Sequence, residues 1–153
     1  MVSLVITAVV LFVLPLVLLY FFSSNAGIMY LAACAGLVLL SSLDPAVVTT
    51  AGAVVPGEGV AYVRLSVVLL SMALAALMFR GTVHGSLLYL HFFIIVFMAG
   101  TLWALLPGVT GVSWLVDSTA EPQWQTVDDF KSLIIGAGFA SSLLAIVTRS
   151  KKH

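Results

Sequence analysis

The chain has 153 residues, 62% of them hydrophobic and only 8% charged, with six acidic and six basic side chains and zero formal net charge. A soluble domain carries about a quarter charged residues, so this composition excludes an ordinary water-soluble fold. The balanced charge gives no reason to expect nucleic acid.

The apolar residues come in long runs, and a helix needs roughly 17–25 of them to cross about 30 Å of hydrocarbon. The first run is Val2–Phe22, with Pro15 inside it. It has no positive n-region and is longer than a signal-peptide core, so it is expected to be retained. Pro15 removes one helical hydrogen bond and bends the helix. The second run, Gly27–Leu43, holds the single cysteine, Cys34, and stops at Asp44-Pro45. It either spans or is re-entrant. The stretch Ala46–Val55, bounded by Pro45 and Pro56-Gly57, reads as an interfacial or re-entrant hairpin. Irregular backbone at membrane depth needs protein or water to cover it.

The third run is Ala61–Phe79 and the fourth Ser86–Leu106. Between Pro107 and Glu121, the segment Val112–Val116 is too apolar for a free loop and is expected in the interface or under a partner. The fifth run, Ser132–Val147, is short. Thr126-Val127-Asp128-Asp129 supplies a helix start before it, since Thr126 can cap and the aspartates suit the positive end of the dipole. The fold class is therefore all-α, a polytopic transmembrane helix bundle in one domain, 1–153. It has five spans, or four if Gly27–Leu43 is re-entrant.

Orientation follows from Lys and Arg. Arg149, Lys151 and Lys152 cluster in the C-terminal tail, which belongs in the cytoplasm of a plasma-membrane protein. Five spans then put the Arg80–His84 turn inside as well, and the N-terminus outside. Asp44, Glu58, Asp117, Glu121, Asp128 and Asp129 all fall outside. Arg64 and Lys131 break the basic pattern near span ends, where long side chains snorkel. Trp103, Trp114, Trp124 and Tyr62 map to the outer interface, and Tyr20, Tyr30 and Tyr89 to the inner one.

Few residues can carry chemistry. Ionisable groups inside a membrane are functional candidates by default, and His91 is the one that lies clearly within a run. It reads first as a hydrogen-bonding core residue and second as a haem or quinone ligand. His84 lies seven residues earlier on the same face, about 10 Å away, so the two cannot flank one iron. No cofactor is expected apart from that haem alternative. Asp44, Glu58 and Arg64 are candidates for an outer-surface ion pair. There is no phosphate loop, dinucleotide fingerprint, HExxH or Cys/His metal spacing.

Small residues recur at helix-packing spacing: Ala32 with Gly36, Ser71 with Ala75 and Ala76, and a cluster in the fifth run. That cluster is Gly136, Ala137, Gly138, Ala140, Ser141 and Ser142. Small faces let helix backbones approach, and the fifth helix is expected to contact a partner. Three functions compete. The first is a non-enzymatic membrane subunit that packs against, stabilises or helps assemble a larger integral membrane complex. The second is a small homo-oligomeric transporter or channel, lined by Thr7, Ser41, Ser42, Ser66, Ser71, His91, Thr101, Ser141 and Ser142. The third is a haem- or quinone-anchoring subunit built on His91.

Overall fold

The computed structural model describes residues 2–81, 88–120 and 122–150, with side chains described for 9–81, 89–120 and 122–148. Among these residues the chain is all-helical, without strands. The helices are α1 (Val2–Phe22), α2 (Ala26–Ser42), α3 (Pro45–Gly52), α4 (Gly59–Met78), α5 (Leu88–Thr110), α6 (Ser113–Ser118), α7 (Pro122–Asp129) and α8 (Lys131–Ser150). Three of them, α4, α5 and α8, are long and apolar enough to cross a membrane. A fourth crossing is available if α2 and α3, bent by 99° at Leu43-Asp44, count as one broken span. The apolar stretch of α1 with described side chains, Val9–Phe22, is shorter than a span.

The ends of the helices follow from local chemistry. Asn25 caps α2 by accepting from the Gly27 N–H at 2.8 Å. Asp44 caps α3 by accepting from the Ala46 N–H at 2.8 Å, with Pro45 in the first turn, where its missing N–H costs nothing. α5 runs through Pro107, past the expected stop at Leu106, and closes at Gly111, whose φ of +72° suits a glycine after a helix. The last helical region starts at Pro122 rather than Thr126, because a proline at the first helical position is pre-set for the helix. It breaks at Phe130 before α8 begins.

α2 and α5 form the centre. α2 packs on α4, α5 and α8, while α5 touches α1, α2, α4, α6, α7 and α8. The core holds Met29, Tyr30, Val68, Met72, Ile94, Ile95, Met98, Leu102 and Leu106. α6 closes one end, with Val112 and Leu115 fully buried against α1 and α5. The apolar Val112–Val116 segment is thus covered in part by the chain itself. Close helix approach uses glycine. A Cβ on Gly36 would lie 3.0 Å from the Ser71 Oγ and 3.1 Å from the Val68 Cα, so α2 and α4 meet across the small residues expected to pack.

Candidate functional site

The small residues of α8 divide between two faces. Gly138 and Ser142 are buried and face α2. A Cβ on Gly138 would come within 2.6 Å of the Tyr30 ring, and one on Gly27 within 2.8 Å of the Ser142 carbonyl oxygen. These two positions, expected to touch a partner, are occupied inside the bundle. The reason is Tyr30, whose ring needs the notch that a glycine leaves. Gly136 and Ala140 are exposed, and a Cβ on Gly136 would meet nothing within 4 Å. Ala137 and Ser141 lie at the border, half-buried, and the Ser141 hydroxyl donates to the Ala137 carbonyl at 2.7 Å.

Tyr30, an inner-interface residue by sequence, has its side chain wholly inside the bundle, 0% exposed. Its hydroxyl donates to the Ile135 carbonyl at 3.0 Å and shares a hydrogen bond with the Thr101 hydroxyl at 3.1 Å. One phenol thereby joins α2, α5 and α8. Beside it, a Cβ on Gly100 would lie 3.1 Å from Ile134, so α5 also approaches α8 through a glycine. The small run Ala99-Gly100-Thr101 was the available signal. Trp103 donates from Nε1 to the Ser118 hydroxyl at 3.2 Å, whereas Tyr20 and Tyr89 are exposed.

His91 is buried, 4% exposed. It borders a cavity of about 440 Å³ between α1 and α5, together with Leu16, Leu19, Tyr89, Phe92 and Ile95. His84 lies outside the described residues. Among the described residues, no group of three or more His, Cys, Asp or Glu is close enough to hold a metal ion.

The three outer-surface residues do not form the expected ion pair; each serves a different backbone group. Asp44 caps α3. The Arg64 guanidinium donates to the Val109 carbonyl at 3.4 Å. The Glu58 carboxylate accepts from the Ser113 N–H at 3.0 Å, tying the start of α4 to the start of α6. That N–H holds the Glu58 carboxyl below its ordinary range, with the Ser113 hydroxyl adding to the effect. An unpaired backbone group near a span end is a better target for these side chains than a distant counter-ion, because it must be satisfied in any case. The ion pair seen among the described residues is Lys131 with Asp128, at 2.8 Å, one turn apart and exposed.

The hydroxyls expected to line a pathway mostly bond to their own helices. Ser41 and Ser42 donate to Val38, Ser66 to Val63, Ser71 to Val67 and Ser142 to Gly138. The Thr7 side chain lies outside the described ones.

These features define an all-helical chain with three to four helices able to cross a membrane, and with one small-residue face of α8 left open. No protein-family model, curated protein or solved structure matches it.

Proposed function

We propose that the chain is a small, non-enzymatic integral membrane subunit that packs against, stabilises or helps assemble a larger complex of the plasma membrane. In this reading α1, α2, α4, α5 and α8 are five crossings, with the N-terminus outside and the C-terminus in the cytoplasm. The observation that carries the proposal is the open face of α8 at Gly136 and Ala140. A mid-helix glycine costs about 1 kcal/mol relative to alanine. Gly138 offsets that cost by admitting Tyr30, but Gly136 has no neighbour to admit. A lipid-facing position gains nothing from lacking a side chain. A position against another helix does, because association in lipid rests on close packing.

The pathway hydroxyls favour this reading over a transporter. A hydroxyl that donates to its own helix has a satisfied proton and suits a dry neighbourhood better than an aqueous one.

The test is purification in mild detergent. A larger integral membrane partner is expected to co-purify stoichiometrically. Gly136→Leu is expected to insert normally and lose about tenfold of that partner, or ~1.4 kcal/mol. Normal insertion with wild-type partner yield would falsify the role given to this face. A homo-oligomer that carries solute flux would favour the transporter instead.

A further inference from the structure

We propose that α3 and the turn after it, residues 45–57, lie in the polar–apolar boundary of the bilayer, with Val47, Val54 and Val55 against lipid. This goes beyond the subunit reading and does not rest on it; it needs only that the bundle sits in a membrane with α2 running across it.

The geometry gives the level of the segment. α3 departs from α2 at 99°, so where α2 runs across the bilayer α3 runs roughly along its surface. Its far end returns to the start of α4. A Cβ on Gly52 would lie 2.7 Å from Val60, and a Cβ on Gly59 would run into the Gly52 carbonyl. The segment is therefore held at the bundle end where α2 stops and α4 begins. Asp44 and Glu58 flank it, and between them there is no charged residue.

Most of this segment is uncovered by protein. Only Val48 and Gly52 are buried, while Val47 is 59% exposed and Val54 84% exposed. Water would be a poor neighbour for so much contiguous apolar surface. Many of the polar groups up to Val55 are meanwhile satisfied from within. The Ala46 N–H bonds the Asp44 carboxylate, and the Val47 and Val48 N–H groups the Asp44 carbonyl. At the exit, Ala53, Val54 and Val55 donate to Thr49, Ala51 and Gly52, and Pro56 has no N–H to place. The Thr49 and Thr50 hydroxyls donate to Pro45 and Ala46, each at 2.8 Å. A helix that meets most of its own hydrogen-bonding needs suits a medium of low polarity, while the free carbonyls of the turn suit its polar edge.

The hydrocarbon centre is nevertheless the wrong depth. The flanking carboxylates belong at water level, and the irregular turn at Gly57, with φ of +79°, stands in open space. The boundary layer meets both demands, as it does for helices that lie along a membrane surface. Exposure runs around the helix at Ala46, Val47, Thr49, Thr50 and Ala51 rather than along one stripe. A fluid lipid surface covers such a shape more readily than one face of a docked protein.

The experiment is site-directed spin labelling in a Cys34→Ala background, in phosphatidylcholine vesicles. Val47→Cys and Val54→Cys carry the label, with exposed Asp117→Cys as the aqueous reference. Collision with oxygen, which concentrates in lipid, is compared with collision with a water-soluble nickel chelate. A several-fold higher oxygen-to-nickel ratio at both valines than at position 117 is the expected result. A ratio equal to that at position 117 would put the segment in water and overturn the proposal. Low collision with both reagents would mean a protein cover and overturn it equally. Both valines point away from the core, so failure of the labelled chain to fold is not at issue.

Discussion

At the scale of single residues, the Tyr30 hydroxyl connects three helices. Thr101 and Ile135 stand 71 and 105 positions away in sequence, so the contact is non-local and fixes the register of α2 against α5 and α8. Interhelical hydrogen bonds in membranes are worth about 0.6 kcal/mol on average and up to about 1.7 kcal/mol. Tyr30→Phe should therefore lower unfolding stability in detergent by an amount in that range. Thr101→Val in the Tyr30→Phe background should add less than it does alone, which a double-mutant cycle measures. Gly138→Leu should cost more than either, because it drives bulk into the Tyr30 ring, and overpacking costs about 1–3 kcal/mol. It should lower the stability of the isolated chain, where Gly136→Leu should not. His91→Gln should leave the bundle within about 0.6–2 kcal/mol of wild type, the value of a lost interhelical bond. Loss of a chromophore that co-purifies with the wild-type chain would contradict that structural role. The sequence identifies α8 as small and Thr101 as polar within a span, but not their partners. Tyr prefers interfaces by its amphipathic ring, and only a glycine notch on a distant helix makes burial the better outcome for Tyr30.

At the scale of elements, the five apolar runs are legible because long unbroken hydropathy marks them, and they correspond to the helices α1, α2, α4, α5 and α8, of which α4, α5 and α8 are long and apolar enough to cross a membrane. The short helices are less legible, since α3, α6 and α7 depend on contacts made across the end of the bundle. α6 is the clearest case: Val112 and Leu115 read as apolar in a loop, and their burial depends on α1 and α5 lying beside them. The clasp between Glu58 and Ser113 joins α4 to α6 across 55 positions and gives this end a pH dependence. The folded carboxyl lies below its ordinary value of about 4.5, the first cause being the Ser113 backbone N–H. Its contribution is then fully present above the ordinary value and is lost as pH falls through the folded one. Exchange of the Ser113 amide hydrogen, corrected for its intrinsic pH dependence, should lose protection on acidification below that range. Glu58→Gln should remove the pH dependence of the protection, because the amide oxygen still accepts a hydrogen bond but no longer titrates. A Glu58→Gln chain with the same acid-induced loss as wild type would assign the effect to another group.

At the scale of the whole molecule, two contacts bear on how many times the chain crosses. The Gly81 N–H donates to the Phe22 carbonyl at 2.9 Å, joining the end of α1 to the end of α4. Gly52 and Gly59 join the end of α3 to the start of α4. α2 lies between these two junctions, so it runs from one end of α4 to the other. Its 17 residues measure about 25 Å at 1.5 Å per residue, close to the hydrocarbon thickness. α2 is thus as long as the α4 stretch it lies along, and the chain turns by 99° at its end, at Leu43-Asp44. Orientation rests on the basic residues, which the sequence displays directly, because the positive-inside rule counts Lys and Arg near span ends. The choice of reporters does need the structure. Ser118 and Ser24, both in polar stretches of the sequence, are 0% exposed, so a thiol at either would be shielded from reagent wherever it lay. Asp117 and Arg80 are exposed and sit beyond opposite ends of the long helices. In a Cys34→Ala chain, a membrane-impermeant maleimide added outside intact cells should label Asp117→Cys strongly. It should leave Arg80→Cys unlabelled until the membrane is broken. Labelling of both from outside would remove α5 as a crossing, and labelling of Arg80→Cys alone would invert the protein. The expected pattern would put the Arg80 turn in the cytoplasm, and the Phe22 contact would carry the end of α1 there with it. The N-terminus would then lie outside if α1 crosses, which the same reagent should show by reaching Ser3→Cys.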